Sequence, residues 1–147
     1  MNSNMFCQMP EDYLQGLASG EYTYNSHQYS ISPDTMKSDP YLKDFWKVTS
    51  TSTDPSGRDF VATMEAVDYP FMATQFHPEK VTQVIKGSHI NRTIKSVNIN
   101  RQFGDLFVEM ARANPNTWGT YEETSSEVIQ NYPIVITDAY CEDIYVF

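Results

Sequence analysis

The chain has 147 residues, of which 40% are hydrophobic and 20% charged, and it carries a formal net charge of −9. This composition describes a globular domain long enough to bury a core and excludes a disordered chain. The acidity argues against nucleic acid as a partner, and no apolar run approaches the roughly 20 residues that span a bilayer.

The opening "MNSNMFCQMPED" has neither a basic start nor an apolar stretch, so no signal peptide is expected in this chain. "MPEDYLQGLASG" predicts a short helix: Pro10 suits the first helical position, Glu11 and Asp12 suit its positive end, and Gly20 follows the stop. The aromatic, roughly alternating "EYTYNSHQYSIS" reads as extended, with His27 in its middle, and Tyr22, Tyr24 and Tyr29 as packing side chains. In "SDPYLKDF", Asp39 can cap and Pro40 can start one or two helical turns.

The clearest β region follows. "FWKVTSTST" and "RDFVATMEA" are strand-like runs joined by "DPSG", where Asp54, Pro55 and Gly57 fit a type I turn. "VDYP" makes a second turn into "FMATQF", completing an antiparallel meander whose last strand delivers His77. A long helix is expected over 92–113, with Phe103, Leu106, Phe107 and Met110 as its core-facing stripe. Gly104 weakens that helix by roughly 1 kcal/mol relative to alanine, which predicts close packing at that point. Beyond it stand a polar loop, "GTYEETSSE", and two further strand-like runs, "YPIVITDAY" and "DIYVF".

Charge is unevenly spread. Residues 80–104 hold five bases (Lys80, Lys86, Arg92, Lys95, Arg101) and no acid, either a patch for an anionic substrate or a solvated helix face. The two cysteines, Cys7 and Cys141, make no disulfide framework; they are packed thiols, or they pair in an oxidising compartment. Asn91-Arg92-Thr93 is a glycosylation sequon that matters only in a secreted protein. The three histidines show no ligand spacing, so no metal site is expected.

"YPFMATQFHPEK" ends an apolar run on His77-Pro78-Glu79. A histidine whose tautomer is fixed by a carboxylate is two thirds of a nucleophilic triad. On an extended backbone, residues i and i+2 share a face about 6.6 Å apart, close enough for Glu79 to reach one ring nitrogen while the other faces a nucleophile. Pro78, with φ held near −65°, limits how far the two can drift. On these residues alone, a surface histidine with a chance neighbour stays open.

"YPFMATQFHPEK", preceded by "FVATMEAVD", resembles the C-terminal signature of class I glutamine amidotransferase-like hydrolases, and most of all the gamma-glutamyl hydrolases. "MFCQMPEDYLQGLA", "YNSHQYSIS", "YLKDFWKVTSTSTD" and "FGDLFVEMARAN" resemble other segments of that family, in family order. The resemblance implies an α/β fold: residues 1–114 as the C-terminal part of a flavodoxin-like domain, with an antiparallel meander and a long closing helix, and 115–147 as a family-like extension. It implies His77 as general base, Glu79 as its orienting carboxylate and His27 near the substrate. The implied reaction is cysteine-type hydrolysis of γ-glutamyl bonds, as in folate poly-γ-glutamates, with no cofactor and no metal. The implied partner is that small molecule, with no membrane and a homodimer left open. The implied place is the lysosome, the vacuole or the extracellular space.

The family's nucleophile stands on a glycine-flanked elbow that offers backbone N–H groups to the oxyanion. Cys7, in "NMFCQMP", has no flanking glycine, and Cys141 lies in the tail. The nucleophile is therefore expected to be missing, the chain alone inactive, and an apolar surface left exposed unless the tail covers it. A non-catalytic binding module and the glutaminase domain of a biosynthetic amidotransferase are the alternatives.

Overall fold

A computed structural model describes residues 3–83, 89–136 and 143–146. The chain divides into two compact units, Met1–Arg112 and Ala113–Phe147. The larger unit holds helices α1 (Glu11–Ser19), α2 (Pro33–Ser38) and α3 (Pro40–Phe45), strands β1 (Trp46–Thr53), β2 (Asp59–Ala66) and β3 (Met72–Thr74), and most of helix α4 (Ile94–Ala113). Helix and strand are mixed as the α/β reading expects, and the sheet is an antiparallel meander in the order β1-β2-β3.

Each local start has a visible cause. Pro10 stands at the N-cap of α1 rather than inside it, with Glu11 and Asp12 in the first turn. Ser32 caps α2 by accepting from Thr35 N at 3.0 Å, and Asp39 caps α3 by accepting from Tyr41 N and Leu42 N. Helix α2 is not foreseen above, although Ser32-Pro33 is a cap followed by a first-turn proline. Residues 22–31 form no regular strand, but Val61 N–H donates to Ile31 O.

The β1–β2 turn closes as predicted, with Gly57 N–H donating to Asp54 O at 2.9 Å and Gly57 at φ 82°. Asp54 also accepts from Ser56 N, Arg58 N and Arg58 Nε. The Arg58 backbone N–H, first among these donors, holds the Asp54 carboxyl at about 2 against its ordinary 3.8.

Register between β1 and β2 slips twice: Thr51 faces Val61, Ser50 faces Thr63, and Val48 faces Met64. Ala62 and Thr49 are thus extra residues, one bulge on each strand. The bulges bring Phe60 and Thr63 to one cleft, and both Thr49 and Ser50 place hydroxyls on Thr63 Oγ1, at 2.7 and 2.6 Å.

The core cluster is Met5, Phe6 and Met9, packed on by Leu14, Leu17, Met72, Phe103 and Leu106. Phe103 wedges between Phe6 and Phe76, at centroid distances of 6.3 and 5.3 Å. Removing such a ring costs about 3–5 kcal/mol, so this wedge ties α4, β3 and the N-terminal segment together. Two expectations about α4 need correction. Phe107 is 71% exposed, because α4 buries Ser96, Ile99 and Asn100 nearer its start instead. Nothing lies within 4 Å of a Cβ built on Gly104, so that glycine answers no close approach. Phe71, Phe107, Leu106 and Met110 line an open apolar groove.

In the smaller unit, the expected polar loop is instead helix α5 (Tyr121–Ser126), started by a capping box between Thr120 and Glu123. The Thr120 backbone N–H and hydroxyl hold the Glu123 carboxyl below its ordinary range. Strands β4 (Ile134–Ile136) and β5 (Asp143–Tyr145) pair antiparallel. Among the described residues no helix is long and apolar enough to cross a membrane.

Candidate functional site

Strand β3 carries the chain to His77 through two residues that anchor it. Gln75 N–H donates to Ala62 O, and Phe76, 7% exposed, locks against Phe103. His77 N–H then donates to Tyr24 O at 2.9 Å, and Tyr24's ring lies 6.2 Å from the imidazole at 41°. Pro78 opens a 3-10 turn, Pro78–Thr82, with Glu79 in its first turn. The pair is therefore built at a strand-to-turn junction, not along the extended backbone that the spacing suggests. Proline's fixed φ is what starts the turn.

His77 Nδ1 and Glu79 Oε1 are 3.0 Å apart, with side chains 40% and 53% exposed. A carboxylate only accepts, so Nδ1 carries the proton of this bond and Nε2 of a neutral ring keeps its lone pair. So exposed a pair contributes at most about 1 kcal/mol to folding. Its consequence is orientational: one nitrogen is occupied and the other is free to take a proton. A cleft of about 340 Å³ is lined by Thr23, Asn25, Thr63 and Phe76, residues that flank Tyr24 and His77 in sequence or lie on β2, but by neither His77 nor Glu79.

His27 stands apart. Its ring packs edge-on against Phe60 at 5.2 Å, with Nδ1 facing Tyr29 O at 3.1 Å and Nε2 facing Asn25 Oδ1 at 3.2 Å. Neither a hydrogen bond nor a ring contact joins it to His77 or Glu79. It lines a different cleft, with Asp54, Arg58 and Asp59.

Cys7 is exposed, not packed, and its Sγ–H donates to Asn4 O at 3.4 Å. It lines a cleft with Tyr69, Pro70 and Phe71, at the end of β3 opposite His77. Cys141 lies outside the described residues. Of the five bases, Lys95 sits over the Tyr22 ring at 5.7 Å, Arg101 pairs with Asp105 at 3.0 Å, and Arg92 and Lys80 bond to Gln83. Lys86 lies outside the described residues. His89 is exposed on the approach to α4. Among the described residues, no three His, Cys, Asp or Glu side chains gather as a metal would require.

Residues 1–97 match the model of the family "Glutamine amidotransferase class-I", and the chain belongs to that family. Within the family it is similar to gamma-glutamyl hydrolases. It is 29% identical to the "Probable gamma-glutamyl hydrolase 3" of Arabidopsis thaliana, over 90% of this chain and 37% of that protein. It is 27% identical to "Gamma-glutamyl hydrolase B" of Dictyostelium discoideum, over 100% of this chain and 43% of the relative. It is 32% identical to the "Gamma-glutamyl hydrolase" of Rattus norvegicus, over 90% and 42%. The chain thus spans about two fifths of the length of the relatives it matches.

Three residues near this region do not stand out from the sequence in these contacts. Tyr24 reads from the sequence as a packing and strand-forming side chain, or one that stacks on a substrate ring, yet its carbonyl and ring both meet His77. Ser96 and Asn100 were not singled out, although they extend the α4 stripe backwards from Phe103 at intervals of seven and three residues. Polar residues on a helix's inward stripe are the signal that could have found them.

Proposed function

We propose that His77 and Glu79 are the general base and its orienting carboxylate in a cysteine-type γ-glutamyl hydrolase of which this chain carries the C-terminal part. The observation that carries the reading is the 3.0 Å contact between His77 Nδ1 and Glu79 Oε1, which leaves Nε2 available. In this mechanism a cysteine thiol gives its proton to His77 Nε2 and the thiolate attacks the γ-glutamyl carbonyl. The tetrahedral intermediate then collapses, breaking the C–N bond. The imidazolium, steadied by Glu79, protonates the departing amine, and a thioester is left. Water, deprotonated by the same nitrogen, releases the glutamyl acid and restores the thiol.

Support for the substrate comes from the names of the relatives, and poly-γ-glutamyl folates are the class the family resemblance implies. His27 is assigned to the substrate side, although it is not in contact with the pair. Neither Cys7 nor its surroundings suits the nucleophile's role, so the thiol is supplied by a segment outside this chain. With the family reading goes a lysosomal, vacuolar or extracellular site of action.

The test is hydrolysis of a folate polyglutamate by the full-length product containing this chain, beside its His77→Ala variant and the chain alone. Turnover in the full-length protein, lost by several orders of magnitude in the variant and absent from the chain alone, is expected. Turnover by the chain alone that requires Cys7 contradicts the proposal. A full-length protein that binds the substrate without turning it over favours the binding-module reading instead.

A further inference from the structure

Helix α4 buries two polar residues, Ser96 at 0% and Asn100 at 2% exposed, beside Ile99. Asn100 Nδ2 donates to Tyr22 O at 2.7 Å and to Ser96 O at 2.9 Å, and Ser96 Oγ donates to the same Tyr22 carbonyl at 3.1 Å. Both of these atoms facing Nδ2 are carbonyl oxygens, so turning the amide over would set oxygen against oxygen. Asn100 Oδ1 is then buried without a partner among the described residues. An unsatisfied buried acceptor is costly, and an aliphatic side chain would fill the space without that cost. The donor is therefore the part of Asn100 that the structure uses.

What the donor holds leads to the site. Residues 22–31 have no regular strand to set their position. The two hydrogen bonds to Tyr22 O fix the start of that segment, and Asn91 Nδ2 donates another to Glu21 O at 3.0 Å. Two residues beyond the clamped carbonyl, Tyr24 O receives the His77 N–H and Tyr24's ring lies against the imidazole. Resting on the reading of His77 and Glu79 as a proton-handling pair, we infer that Ser96 and Asn100 are positioning residues that act through the Tyr22 carbonyl. They hold Tyr24 against His77 and keep Nδ1 turned toward Glu79. Neither Ser96 nor Asn100 touches His77 or Glu79.

The test is imidazole ¹⁵N and NOE spectroscopy of this chain at alkaline pH, for wild type, Asn100→Asp, Ser96→Ala and Ser96→Thr, with urea midpoints on the same samples. Asn100→Asp replaces the donating nitrogen by an oxygen of nearly the same shape; Ser96→Ala removes one donor from a side chain of small volume. In both, the Tyr24–His77 NOE should weaken, and the ratio of Nδ1–H to Nε2–H tautomers at His77 should fall about threefold, as expected for a weakened hydrogen bond. Ser96→Thr, which keeps the hydroxyl, should restore both signals. Variants that lower the urea midpoint while leaving the NOE and tautomer ratio unchanged would overturn the inference. If Asn100→Asp does not fold, Ser96→Ala decides alone. A wild-type ring protonated on Nε2 would overturn the reading of the pair itself, and the inference with it.

Discussion

Glu65, 5% exposed on the central strand β2, accepts from Ser3 Oγ at 2.7 Å, Asn4 N at 3.2 Å and Met5 N at 2.5 Å. Glu79, half in solvent, accepts from one imidazole at 3.0 Å. The first carboxyl group ties the N-terminal segment, with its core residues Met5 and Phe6, to the sheet. The second, half in solvent, contributes little to stability, and in the proposed function its part is to help set the direction of a ring. Burial separates the roles: donors around a buried carboxyl replace lost water, whereas an exposed one gains little beyond orientation.

That contrast can be broken by substitution. Glu65→Ala strands two backbone N–H groups and a hydroxyl, and should cost about 3 kcal/mol, read as a lower urea midpoint with an unchanged slope. A loss below about 1 kcal/mol would mean that the N-terminal segment is held by apolar contacts alone. Ser3→Ala removes one donor of the three and should cost about 1 kcal/mol by the same measurement. Glu79→Gln should change the midpoint by less than about 0.5 kcal/mol while altering the His77 ring signals, the reverse of Glu65→Ala.

Asp54 sharpens the comparison through pH. Its carboxyl is held at about 2, below the ordinary 3.8, first by the Arg58 backbone N–H. A depressed folded value means that the ionised form favours the turn. Its contribution is complete above the ordinary value and is lost as pH falls through about 2. The Ser56 and Arg58 amide shifts should therefore titrate with a midpoint near 2. A midpoint near 3.8 would show that the turn's hydrogen bonds do not favour the ionised form.

The same contrast explains what the sequence disclosed. The Asp54–Gly57 turn, the Asp39-Pro40 start and the span of α4 are local, and they appear in the structure nearly as read, although the buried stripe of α4 lies nearer its start than the periodicity indicates. His77-Pro78-Glu79 was equally legible, because the contact joins residues two positions apart. Glu65 was not. Simple alternation sets Glu65 on the strand face opposite Phe60, Ala62 and Met64, where a carboxylate reads as solvated, but Ser3, Asn4 and Met5 bring their donors onto it from about sixty residues away. The hold of Asn100 on Tyr22 spans |i−j| = 78, and no window of local periodicity reaches that far. The capping box at Thr120 was legible and overlooked, since a polar composition reads as loop until its Thr-x-x-Glu spacing is noticed.

The most direct measurement is the imidazole ¹⁵N spectrum of His77 in this chain and in Glu79→Gln, at alkaline pH where imidazoles are neutral. Wild type should carry its proton on Nδ1, and Glu79→Gln should move it toward Nε2. A wild-type ring protonated on Nε2 and indifferent to Glu79→Gln would show that the carboxylate does not set the tautomer, and would leave the proposed base without its partner.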